Sequence, residues 1–168
     1  MSRREIVQPP NMHKCSEAGF SLIELLIVVA VILIIAAIAI PNYIQTKMRA
    51  NEASAAQSCR NIATAELVYS TTYGLDYSTN LTQLSGSGIN PDPNNAGLID
   101  EVLASGFKQG YAIVYTPLTT DAQSHTATYS VTADPISPST GQRHFYSDQT
   151  GVIRSNGSVQ AGPSDLPI

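Results

Sequence analysis

The sequence predicts an α+β protein: one long N-terminal helix laid on a small antiparallel sheet of three to four strands. Three observations carry this. Residues 20–40, FSLIELLIVVAVILIIAAIAI, are apolar apart from Ser21 and Glu24. Past Pro41, apolar residues recur at helical spacing as far as Tyr73. Beyond Gly74 the chain breaks into short alternating runs separated by Gly, Pro, Asn, Ser and Thr. No repeat of 20 to 50 residues is present.

The first helical stretch follows from length. From Leu25 to Ile40 there is no charged or polar side chain, which excludes an ordinary cytosolic domain. At 1.5 Å per residue, the run from Phe20 reaches roughly 30 Å as a helix, about one bilayer core. Its β-branched content would allow a strand, but a lone strand would leave backbone groups unpaired in lipid. A secretory signal peptide is the other reading, with Ala37-Ile38-Ala39 as its cleavage site; the run is longer than signal cores of about 7 to 15 residues. Flanking charge does not set orientation: Arg3, Arg4 and Lys14 precede the span, and Lys47, Arg49 and Arg60 follow it. Long C-terminal domains translocate regardless of charge, which favours the N-terminus inside.

Pro41 ends the run and cannot donate to the Ala37 carbonyl, so a kink or melted turn is expected there. The helical pattern then resumes through Ile44, Met48, Ala55, Cys59, Ile62, Ala63 and Leu67, with polar residues filling much of the rest. Gly74 is a suitable stop. Nearly continuous helix over residues 20–73 would span roughly 80 Å. The chain after its polar first 19 residues could not bury such a rod, so half of it must meet lipid or other subunits.

In the remainder, residues 80–93 read as loop. Residues 98–105 read as a short helix stopped by Gly106. Strands are expected at 111–116, 126–132, 143–147 and 152–154. Asp148-Gln149-Thr150-Gly151 joins the last two as a hairpin, with Gly151 able to take positive φ. The apolar stripe of the second helix half is the available cover for one face of this sheet. The organisation is therefore 1–19 a polar leader, 20–41 the apolar helix, 42–73 the amphipathic half, and 74–168 a globular head.

Glu24 is the most informative residue. A carboxylate deep in lipid costs at least a few kcal/mol, so intramembrane acids usually have a partner. One reading has Glu24 near the interface, reaching water. The other gives it a cation. The segment holds no Lys or Arg, but cleavage after Gly19 would create an α-amino group on Phe20, one helical turn away. That amine could belong to the same chain or to a neighbour.

The run Gly19-Phe20-Ser21-Leu22-Ile23-Glu24, then LLIVVAVILIIAAIAIPNY, closely resembles the N-terminus of type IV pilins and type II secretion pseudopilins. The resemblance covers Gly19 to Tyr43. It implies that a prepilin peptidase cuts after Gly19 on the cytoplasmic side and methylates Phe20. It implies that Glu24 docks on a neighbour's amine and sets the assembly register, and that Pro41 marks where the helix loosens inside filaments. The implied fold, a long helix on a small antiparallel sheet, agrees with the periodicity. The implied partners are further copies of the chain, the peptidase, and an inner-membrane assembly platform with its ATPase. The expected location is the inner membrane before assembly, then a surface pilus or periplasmic pseudopilus. The expected function is a structural filament subunit for adhesion, motility or DNA uptake; the alternative is a pseudopilin forming a piston for protein secretion. A third reading is an exported or anchored domain with some other binding activity. Many such pilins close a C-terminal loop with a disulfide. Here Cys15 lies in the leader and Cys59 on the helix stripe, so no intrachain bridge remains after cleavage.

Other chemistry finds little support. The net charge of -4 and pI near 5.2 argue against a sequence-independent nucleic-acid binder. His125 and His144 carry no G-x-S-x-G elbow or other hydrolase signature, so no enzyme activity is expected. No cofactor motif or metal-binding histidine pair is present. Asp92, Asn94, Asn95 and Asp100 could be oxygen ligands for calcium, but Pro91, Pro93 and Gly97 make turn chemistry the simpler cause. Cys59 reads as a small core residue. Tyr69, Tyr73 and Tyr77 read as packing groups.

Overall fold

The computed structural model describes residues 19–86, 90–120 and 126–168. Residues 1–18, which include Cys15 and most of the expected leader, and His125 lie outside the described residues. Helix α1 runs Leu22–Tyr73, with Pro41 inside it. The turn at Pro41 stays helical, so the melted turn expected there is absent. Two compact units divide the chain at Ile40 and Pro41.

In the first unit, the described residues form the apolar helical stretch. Its side chains stay on the surface: Phe20 is 85% exposed, and Leu22, Ile34 and Ile38 are exposed too. Its length and composition suffice to cross a membrane.

The second unit packs the rest of α1 against a sheet. Helix α2 is Leu81–Leu84 and α3 is Glu101–Ala104. Strands follow as β1 Phe107–Lys108, β2 Tyr111–Thr120, β3 Thr126–Pro135, β4 His144–Asp148, β5 Arg154–Asn156 and β6 Leu166–Pro167. They lie in sequential order, each antiparallel to the next. The α+β expectation holds, with a sheet of six strands instead of three to four. The extra two, β1 and β6, are two-residue rim strands, too short to show a period of two. Residues 80–93 are not all loop: Asn80 caps α2 by accepting from the Gln83 amide at 3.1 Å. The 148–151 turn forms as expected, with Gly151 at φ 71° and its amide donating to the Asp148 carbonyl at 2.9 Å. Gly74 closes α1 at φ 63°.

The core lies between the later part of α1 and one sheet face. Ala55, Cys59, Ile62, Ala65 and Tyr69 meet Tyr111, Ile113, Tyr129, Val131, Ala133 and Phe145. The spacing of three and four holds, but the stripe drifts from its expected line. Ile44 and Leu67 are exposed, while Ala65, Glu66 and Tyr69 are buried. An apolar count favours Leu67 over Glu66; the fold reverses them because Glu66 finds hydrogen-bond donors inside.

Candidate functional site

The N-terminal segment is the candidate site. Ser21 stands just before α1, and its backbone N–H donates to Glu24 Oε2 at 2.9 Å. The Leu25 amide donates to the Ser21 carbonyl at 3.2 Å. This is the returning half of a capping box, in which an acid at the third helical position satisfies the cap residue's amide. The cue, S-x-x-E before an apolar run, was present in the sequence and is a local reason for Glu24 that intramembrane pairing alone does not supply. The negative charge also suits the positive end of the helix dipole. One carboxylate oxygen is used in this bond. Gly19 and Phe20 are exposed just ahead of the helix. A Cβ added at Gly19 would meet nothing within 4 Å, so the fold itself does not demand glycine there.

The head is fastened to α1 by polar groups that periodicity does not reveal. Glu66 is fully buried. Its Oε2 accepts from the Ser78 amide at 2.9 Å and its Oε1 from the Ser78 hydroxyl at 2.5 Å. The Tyr115 hydroxyl donates to the Ser78 carbonyl at 2.7 Å. Burial pushes the Glu66 carboxyl above its ordinary range, and the Ser78 hydrogen bonds oppose that. Closer to the span, Glu52 Oε1 accepts from the Gln142 and Arg143 amides at 3.0 and 3.3 Å. Asn51 donates to the Thr140 carbonyl at 2.9 Å. These contacts join α1 to β2, to the loop before α2, and to the loop before β4.

Cys59 is a core residue: it is fully buried, and burial pushes its thiol up to about 12. Tyr69 and Tyr73 lie 5.1 Å apart between ring centroids, and Tyr77 meets Tyr129 edge-on at 4.8 Å. They pack as expected. In the acidic loop, Asp92 accepts from the Asn94 amide at 2.7 Å. Asp100 caps α3 through the Leu103 amide at 2.9 Å and pairs with Lys108 at 2.8 Å. Turn and cap chemistry thus account for these oxygens. His144 Nδ1 lies 2.6 Å from Asp134 on neighbouring strands.

The described residues thus hold an exposed apolar helical stretch headed by one capped carboxylate and a head in which a helix packs on an antiparallel meander. Comparisons with known proteins find likeness to pilins. The prokaryotic N-terminal methylation motif matches residues 14–40. A 48-residue stretch is 50% identical to the type IV major pilin protein PilA of Myxococcus xanthus (strain DK1622), covering 29% of this chain and 22% of that protein. The chain therefore matches less than a quarter of that relative's length. No solved structure matches it. The motif match falls on the N-terminal segment.

Proposed function

We propose that the chain is a structural subunit of a type IV pilus-like filament, cut after Gly19, methylated at Phe20 and polymerised through its N-terminal helix. The observation that carries this is the apolar surface of residues 20–40, exposed throughout except at Ala36 and broken by a single carboxylate near its start. Such a surface needs lipid or like surfaces around it. Before assembly it anchors in the inner membrane; afterwards it packs against copies of itself. Glu24 takes a neighbour's Phe20 amine, because a misplaced charge would stay unpaired in a low-dielectric filament core. Pro41 gives the helix compliance on leaving the bilayer, since it removes one backbone hydrogen bond. The contact is heterologous, so it propagates without closing. The partners are the prepilin peptidase, the assembly platform and its ATPase. The relative's description as a major pilin favours a pilus over the secretion pseudopilus.

N-terminal mass spectrometry of filaments sheared from cells tests the reading. The expected terminus is a methylated Phe20. An uncut chain, or one cut after Ala39, would refute it. Surface filaments that vanish on deletion of the gene would separate the pilus from the pseudopilus.

A further inference from the structure

Charge is segregated along the second unit. From Pro41 to Arg60 the chain holds three bases, Lys47, Arg49 and Arg60, against Glu52. Between Arg60 and Lys108 it holds five acids, Glu66, Asp76, Asp92, Asp100 and Glu101, and no base. The fold keeps the two groups apart. Helix α1 carries Lys47 and Arg49 on an early turn of this unit. The acidic segment gathers round its last turns. Ser78 bonds to Glu66, the Pro93 carbonyl accepts from the Tyr69 hydroxyl at 2.8 Å, and Asp100 lines a recess of about 290 Å³ with Thr64 and Val68. Arg49 and Tyr69 are roughly 30 Å apart along the helix. Screening at physiological salt acts over about 8 Å, so one end cannot neutralise the other within a chain.

Local bonding leaves spare charge at each end. Glu66 is bonded to Ser78, Asp92 to the Asn94 amide and Asp100 to Lys108. Asp76 and Glu101 are exposed, and among the described residues their side chains make no hydrogen bond or ion pair. Arg49 is exposed and equally unpartnered among them. Arg143 and Glu52 line a recess with it. Glu52 Oε1 accepts from the Gln142 and Arg143 amides, and no ion pair joins Glu52 to Arg49. Two guanidinium groups thus stand against one carboxylate. Exposed apolar side chains lie beside both ends, Ile44 ahead of Arg49 and Val102 next to Glu101. An apolar patch with charge at its rim is the make-up of a protein contact.

Opposite charges that cannot meet within a chain can meet between chains. We propose that the Arg49 end of one copy docks against the Asp76 and Glu101 end of the next, and that this pairing sets the axial stagger of neighbouring subunits. One surface pattern then supplies both halves of the contact, which makes a second copy the fitting partner. The contact is heterologous and propagates without closing. Exposed ion pairs add little affinity. Their effect is on register, since a shifted copy sets like charges against each other. This rests on the filament reading above.

The test uses filaments sheared from cells that make the full chain. Arg49→Lys keeps the charge and supplies an amine, so a carbodiimide should join position 49 to Asp76 or Glu101, read by peptide mass spectrometry. The two ends lie too far apart in one chain for such a zero-length link, so the link reports two copies. Arg49→Glu should lower the yield of sheared filaments about fivefold, because an attraction becomes a repulsion. Asp76→Arg with Glu101→Arg should do likewise, and the three changes together should restore the wild-type yield. Wild-type chains that form no filaments by electron microscopy would sink the filament reading and this proposal with it. Filaments in which position 49 links only to Glu52, or to acids elsewhere on the head, would overturn this proposal alone. So would an unchanged yield in Arg49→Glu, or a loss that the acid reversals fail to rescue, which would give the arginine to some other anion.

Discussion

Replacing Glu66 tests whether a buried carboxyl fastens the head to its helix. In Glu66→Ala the Ser78 amide loses its acceptor inside the core, where Ser78 is 1% exposed. An orphaned buried donor costs about 1–3 kcal/mol. The Ser78 hydroxyl fares better, because the Asn80 carbonyl at 3.2 Å remains as an acceptor. The truncated side chain adds a small cavity, worth about 1 kcal/mol. Relief of carboxyl desolvation offsets part of this, leaving a loss of about 2–3 kcal/mol. For a head of this size that lowers the melting temperature by about 10 °C. Glu66→Gln keeps an oxygen for the Ser78 amide and turns its NH2 toward the hydroxyl, so it should cost under about 1 kcal/mol. The two variants also separate by pH. An acid whose folded-state pKa is raised holds its proton better in the folded chain than in the unfolded one. Its contribution is complete below the ordinary carboxylate range and is lost as pH rises through the raised value. Stability of the wild-type chain relative to Glu66→Gln should therefore fall as pH rises from the acid side. Denaturant titrations of the full chain in detergent, across a pH series, read this directly. An alanine variant that melts with wild type, or a glutamine variant as damaged as alanine, would refute the account.

Glu24→Ala should leave cleavage after Gly19 intact, fray the first turn of α1 by about 1 kcal/mol, and impair filament assembly; normal filaments by electron microscopy would count against its register role. Gly19→Val should fold normally, since nothing lies within 4 Å of the new Cβ, yet accumulate as uncut precursor on immunoblots; efficient processing would place the specificity elsewhere. The Cys59 thiol, pushed up to about 12 by burial, should resist maleimide at pH 8 in the folded chain and react at once in denaturant. Rapid labelling of Cys59 itself under native conditions, read by peptide mapping apart from Cys15, would mean that the α1–sheet interface opens readily.

The sequence made the scaffold legible where a period or a turn residue carried it. The apolar run, the helix stop at Gly74, the four main strands and the Asp148–Gly151 hairpin were all readable, since each depends on local spacing. The rim strands β1 and β6 were not, because two residues have no alternation to detect. Leu67, expected on the apolar stripe, is exposed for a different reason. A hydropathy count treats every acid as solvent-facing, whereas Glu66 is held inside by Ser78, 12 residues away. At the candidate site the roles read for Gly19, Phe20 and Glu24 depend on processing and on other copies of the chain, while the capping bond of Glu24 to Ser21 is a local feature that the S-x-x-E spacing carries.

That bond bears on how one carboxylate can serve two ends. If capping and register competed for the same atom, each assembly step would have to break the Ser21 contact, at a net cost of about 1 kcal/mol. The geometry avoids the conflict. Ser21 engages Oε2, which leaves Oε1 for a second donor, and a carboxylate accepts several hydrogen bonds at once. On the proposed reading, cutting the bond before Phe20 releases an ammonium and leaves the Ser21 amide untouched. The cap therefore survives processing. It holds the acid at the head of the helix with less side-chain freedom to lose when a neighbour's amine arrives, so the pairing comes at a smaller entropic cost than it would for an uncapped glutamate. Ser21→Pro removes that amide and no side-chain charge. It should slow assembly while leaving Glu24 in place, whereas assembly at the wild-type rate would show that the cap contributes nothing to the register.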